Sequence, residues 1–292
     1  MKNAVLQKEM KVSSRSWKIT WGLLAFNLIL GLFVLFLFHS VFYMQAKGEV
    51  GDYSSVINIY GGIEALEMLL LAFIVPATTA GAIAGEQEKQ TLDILLTTPL
   101  YPWQIIVGKL VASISTALLY LFSSLPLISI VFLVGGVSIW NLCTMFFYAV
   151  VFSLFMGSVG IFYSTVLRKS ILATICSFGT ELFFVGIYWV IQEVGKLLYG
   201  TNEVVSHMTV VSALFSPFAT MMGLYSNQVE SRGKYEAYCN VLYGNEQGGF
   251  WSTLGSGAWF WWSVIAQLFL AGIFLFLAVR ALNPLKRRIG EK

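Results

Sequence analysis

The stretch AGAIAGEQEKQTLDILLTTPLYPW, residues 80–103, decides how this chain is read. Three of the chain's 15 acidic residues, Glu86, Glu88 and Asp93, fall within eight positions of one another there, between two segments apolar enough to cross a bilayer. From Gly85 onward, Leu92, Leu95 and Leu96 recur at helical spacing on one side, while Glu86, Gln90 and Asp93 fall on the other. Lys89 follows Glu86 by three residues and precedes Asp93 by four, so a helix places it to bridge both. Pro99 ends the run, because the residue before a proline disfavours the α region. Pro102 suits the first turn of a following helix. The spacing predicts a short amphipathic helix over residues 85–98, a corner at Pro99 and a new helix beyond it.

Composition places that corner beside a membrane. The chain of 292 residues is 57% hydrophobic and 11% charged, against about 25% charged in an ordinary soluble domain. Six apolar runs reach the roughly 20 residues that cross about 30 Å of hydrocarbon. They lie at about 18–43, 63–84, 104–134, 141–167, 170–194 and 258–280. The first is too long for a secretory signal and lacks a small-residue cleavage site, so it reads as an anchor. The expected fold is an all-α integral membrane protein of six transmembrane helices in a single transmembrane domain, residues 1–292. Residues 1–17, basic with apolar Val5, Leu6 and Met10, form a helix lying on the inner leaflet. With the N-terminus inside, 14 of the 18 Lys and Arg residues fall on cytoplasmic segments. Both termini and the 85–98 helix are therefore expected in the cytoplasm. Residues 195–257 form a long outer loop whose apolar first part is too short to span; it dips into the outer leaflet and returns, as a re-entrant segment between spans 5 and 6.

The order of residues adds a resemblance. A-G-E-x-E-x-x-T-L-D-x-L-L-x-T-P-L, from Ala84 to Leu100, is followed by W-x-I-I-x-G-K, from Trp103 to Lys109. This string resembles the segment joining the second and third spans in the type-2 family of ABC transporter permeases. In that family the segment is a coupling helix that docks in a groove of a separate ATPase subunit. The resemblance implies coupling roles for Gly85, Glu86, Glu88, Thr91, Leu92, Asp93, Leu95, Leu96, Thr98 and Pro99. It extends to the six spans, the interfacial helix and the Ser-Pro-Phe element at Ser216, Pro217 and Phe218 in the re-entrant segment. It implies a fold like that of the G-type ABC exporters, a second permease copy or paralogue as partner in the bilayer of the cell membrane, and ATP with Mg on the ATPase. Three positions depart from the family pattern: Gln87 stands for a basic residue, Gln90 for glycine and Asp93 for glutamate. Gln90 is a better helix former than glycine, which favours a helix continuing through it.

Other classes find little support. No G-x-x-x-x-G-K-[ST] phosphate loop exists, since Gly108-Lys109 and Gly195-Lys196 are each followed by Leu and lack the earlier glycine. ATP hydrolysis is expected in another chain, and no cofactor on this one. His39 and His207 are too few and too distant for a His-rich metal site. Cys143, Cys176 and Cys239 make neither a metal spacing nor a disulfide frame. A net charge of +3 does not suggest nucleic acid. An ion-driven transporter usually holds several ionisable groups at the midplane. Here the deep candidate is Glu181, 11 residues into the fifth span, about 16 Å along a helix. Such a residue must be neutral, paired or facing a cavity; it either lines a substrate route or bonds a neighbouring helix. Glu64 and Glu67 sit at the outer end of the second span and are expected to be solvated. Asn27, His39 and Gln267 are expected as polar contacts between helices. An ABC-type complex passing mechanical work to an outer partner without moving a solute stays open beside export.

Overall fold

The computed structural model describes residues 17–46, 53–92, 101–134, 138–199, 211–228 and 259–282. Among these, every regular element is helical. The long helices are α1 (Trp17–Ala46), α2 (Tyr53–Glu88), α3 (Pro102–Val134), α4 (Ile139–Val166), α5 (Ser170–Tyr199) and α7 (Trp259–Leu282), with the shorter α6 (Pro217–Gln228) before the last. Six are long and apolar enough to cross a membrane, and each contains an expected span, save that α4 ends one residue short of its span and α7 begins one residue after its own. The interfacial helix, residues 93–100, most of the outer loop and residues 283–292 lie outside the described residues.

Local chemistry explains where the helices begin. Pro102 opens α3, and the Tyr101 N–H just before it donates to the Gln104 side chain at 3.2 Å, supplying one free donor of the first turn with an acceptor. Ser138 caps α4 by accepting from the Trp140 N–H at 3.2 Å. Both α2 and α3 continue through their prolines, Pro76 and Pro126. Beside Pro76 the hydroxyls of Thr78 and Thr79 donate to the Val75 carbonyl at 2.9 and 2.8 Å, which satisfies both hydroxyls within the helix itself. Exposed aromatics sit near helix ends: Trp17 and Trp21 on α1, Trp103 on α3, Trp140 on α4, Trp261 and Trp262 on α7. Amphipathic rings at such positions suit the boundary between hydrocarbon and water.

The described chain falls into two compact units, Met1–Ser177 with Gly272–Lys292, and Phe178–Ala271. In the first, α2 packs most extensively on α4, and also on α3 and α1. Lipid supplies no hydrophobic drive between helices, so close approach of small residues has to hold them. Gly157 of α4 faces Val75 and Thr79 of α2, and Gly160 lies against Thr79 and the Ala80 backbone. One turn further on, the Ser164 hydroxyl accepts from the backbone N–H groups of Ile83 and Ala84 at 2.8 and 2.9 Å. The expected polar contact of Asn27 is present, its Nδ2 donating to Ser123 of α3 at 2.9 Å. His39 instead stacks on Tyr43 of its own helix, with ring centroids 6.3 Å apart.

In the second unit, residues 211–215 form one helical turn, Ser216 interrupts it, and α6 follows. Ser216 and Pro217 make this junction: the serine hydroxyl accepts from the Ala219 N–H at 3.4 Å, and proline fills the first helical position, where no N–H is needed. Phe218 stacks at an angle on Trp189 of α5. Tyr188, Ala213, Ala219 and Trp259 form the small core of this unit, and Gln267 of α7 donates to Thr220 of α6 at 2.9 Å, the helix contact expected of it.

The seam between α2 and α4 yields a direct test. A Cβ on Gly160 would stand 3.3 Å from the Ala80 backbone nitrogen and drive into the Thr79 side chain. Gly160→Ala should cost about 1–3 kcal/mol by overpacking, read as a lower thermal midpoint of the purified protein. Adding Thr79→Ala should recover only part of the loss, because the backbone of α2 still stands in the way.

Candidate functional site

The end of α2 differs from the helix expected over residues 85–98. Gly85 to Glu88 form the last turn of α2, which runs unbroken from the membrane. The chain then turns at Lys89 and Gln90, and Leu92 is helical again. Gln90 has φ 55° and so lies in the left-handed region. The Gln90 N–H donates to the Gln87 carbonyl at 3.1 Å and the Thr91 N–H to the Glu86 carbonyl at 2.9 Å. This crossed pair is the Schellman arrangement, which satisfies carbonyls that a helix end leaves free. The residue in the left-handed position is usually glycine, and Gln90 stands where the family string carries one. Helix propensity therefore does not govern this position, which asks for a positive φ that costs a residue with a Cβ about 1–2 kcal/mol.

Both carboxylates of the turn are engaged inside the chain. Glu86 does not pair with Lys89; its Oε1 lies 2.8 Å from the Nζ of Lys109, the eighth residue of α3. Lys109 is 4% exposed and Glu86 22%. The same amino group donates to the Ala82 carbonyl at 2.8 Å. Around this pair Ile83, Leu92, Ile105, Ile106 and Leu110 form a closed apolar cluster with Ile161, Ala278 and Leu282. Leu92, expected on a surface that meets a partner, is thus buried within the chain. Glu88 reaches the other way: its Oε1 accepts from the Ser170 N–H at 2.8 Å and its Oε2 from the Ser170 hydroxyl at 2.9 Å, at the first residue of α5.

What remains exposed is the turn itself, Glu88, Lys89, Gln90 and Thr91, with Gly85 half-buried behind it. Asp93, Leu95, Leu96, Thr98 and Pro99 lie outside the described residues. Lys109 and Ser170 were not expected at this site. A signal for Lys109 existed, since G-E and G-K close and open consecutive antiparallel helices, which brings their charges to one level. Ser170 had no comparable signal.

Two further findings concern buried charge. Glu181 on α5 is 8% exposed, and no hydrogen bond or ion pair reaches it among the described residues. Glu64 and Glu67, expected in water, are each 3% exposed. Tyr60 hydrogen-bonds Glu64, and the Ser124 hydroxyl of α3 donates to Glu67. Among the described residues no group of three His, Cys, Asp or Glu is placed to hold a metal ion.

The Glu86–Lys109 pair predicts a charge-swap result. Glu86→Lys sets two ammonium groups together in a mostly buried site. Breaking a fully buried pair costs about 3–5 kcal/mol, and the partial exposure of Glu86 puts the loss near the lower end. Glu86→Lys with Lys109→Glu should return thermal stability and membrane abundance toward the starting values. Equal damage in the single and double variants would show that the pair is not coupled.

Residues 3–282 match the sequence model of a family described as ABC-2 family transporter protein. No curated protein matches the chain in sequence.

Proposed function

Because the chain belongs to the ABC-2 family of transporter proteins, we propose that it is the membrane subunit of an ATP-driven exporter. A separate ABC ATPase holds ATP and Mg and acts on this chain through the exposed turn and the segment that follows it. The observation that supports this most is the construction of the end of α2. Its turn is exposed and closed by the Schellman bonds, and directly behind it Glu86 and Glu88 fasten the helix to α3 and α5. A push on such a turn moves three helices together instead of bending one.

The remaining parts of the reading follow from the chain's chemistry. Both termini lie in the cytoplasm of a cell whose plasma membrane holds the protein, in keeping with the distribution of Lys and Arg. Two permease copies, or this chain and a paralogue, work with two ATPase subunits. The Ser216-Pro217-Phe218 junction belongs to a segment that enters the outer leaflet and returns. Glu181 lines the substrate route: a buried carboxyl in a span is costly to keep, and packing alone gives no reason to keep it.

Docking is tested with variants at positions other than the Glu86 and Glu88 ties. Lys89→Glu and Leu95→Asp should each reduce co-purification of the co-expressed ABC ATPase by about tenfold, equivalent to ~1.4 kcal/mol, at unchanged permease abundance. Wild-type recovery of the ATPase in both would remove the docking role of this segment. Glu181→Gln keeps the volume and removes the charge. It should change transport or substrate preference in cells while ATPase co-purification and thermal stability hold. Loss of folded protein with no change in transport per molecule would make Glu181 a structural residue.

A further inference from the structure

We propose that Glu88 is a positioning residue that links the turn to α5, as a second arm separate from the Glu86–Lys109 tie to α3; this rests on the reading of the turn as the part on which the ATPase acts. Successive residues of a helix are rotated by about 100°, so side chains two apart point to nearly opposite sides. Glu86 accordingly faces α3, and Glu88 faces the first residue of α5.

The N-terminus of α5 has no means of its own to accept this contact's replacement. The first N–H groups of a helix lack partners within it, and they present positive partial charge. The residue before α5 is Lys169, which has no side-chain oxygen to cap with. The first turn of α5 carries no acidic residue. Glu88 supplies from another helix what α5 lacks, with one oxygen on the Ser170 N–H at 2.8 Å and the other on its hydroxyl at 2.9 Å.

The apolar contact beside this tie is smooth. Ala80 and Ala84 of α2 meet Ala173 of α5, and alanine methyl groups present little to interlock. Side by side, such surfaces permit sliding, so the direction of any displacement is set by the bidentate carboxylate. Glu88 is also the last residue of α2, immediately before the turn, so a force applied at Lys89 to Thr91 reaches it first.

Ser170→Asp separates linking from capping. An aspartate in the first turn supplies the negative charge that α5 otherwise takes from Glu88, and it repels Glu88, so α5 remains stabilised while the link to α2 is broken. Cys176, half-buried six residues along α5, reports the movement. Cys143 and Cys239 are first replaced by Ser, and complexes are purified through the ATPase so that every permease measured is docked. The rate of Cys176 alkylation by N-ethylmaleimide is then compared before and after trapping with ATP and orthovanadate. In the parent complex trapping should change the rate; in Ser170→Asp the ratio of the two rates should fall to near unity. Ser170→Ala, which keeps only the backbone bond, should fall between. A parent-like ratio in both variants, or no change on trapping in the parent complex, overturns the proposal. Failure of the parent permease to purify with the ATPase at all would instead count against the docking reading on which it rests.

Discussion

The interaction on which the inner part of the first unit depends is the contact of the Lys109 amino group with Glu86 and with the Ala82 carbonyl, at 2.8 Å each. An ammonium group 4% exposed, eight residues into a membrane helix, is tolerable only if its charge is balanced and its donors are used. One carboxylate and one carbonyl, both from α2, do this from a single helix end. The pair therefore fixes where α2 stops relative to α3, and the apolar cluster around Ile83, Ile105 and Leu110 closes over it. Leu92 is drawn into that cluster as the chain re-emerges from the turn.

A different kind of contact sets the distance between α2 and α4. There the close approach of Gly157 and Gly160 to Thr79 and Val75 replaces charge, and Ser164 adds two hydrogen bonds to the α2 backbone. In a bilayer, packing and hydrogen bonds carry the association that hydrophobic burial carries in water. The two mechanisms divide α2 by depth: small residues and hydroxyls inside the membrane, ion pairing and capping at its end. Together they make α2 the helix from which α3, α4 and the start of α5 take their positions.

The parts of this arrangement legible in the sequence were those with long or local signals. The six spans are runs of twenty or more apolar residues, and the starts of α3 and α6 are set by Pro102 and by Ser216-Pro217. The end of α2 was not legible, because amphipathic spacing from Gly85 to Leu96 looks the same whether or not a left-handed residue interrupts it. The family glycine at the position of Gln90 carried that information, as a conformational requirement and not a propensity. Glu64 and Glu67 were placed in water because the apolar run begins near Ile63, whereas α2 begins at Tyr53. Ten further residues of helix, too polar to register as a span, bring both carboxyls inside the protein, where Tyr60 and Ser124 receive them. Tertiary partners such as Ser170 leave no trace in a local pattern.

Buried charge sorts the functional weight among the described residues. Lys109, Glu64 and Glu67 are each nearly inaccessible, and each has a partner that accounts for its burial: Glu86, Tyr60 and Ser124. These belong to the framework, since removing one partner of such a contact leaves the other stranded. Glu181 has comparable burial, 8% exposed, and none of the described hydrogen bonds or ion pairs. A group of this kind adds nothing to packing that a leucine would not supply at lower desolvation cost. That contrast is what sets Glu181 apart from the paired carboxyls of α2 among the described residues. The ties at Glu86 and Glu88 fit the proposed transmission on the same ground: both are already formed in the chain and need not form before they carry force.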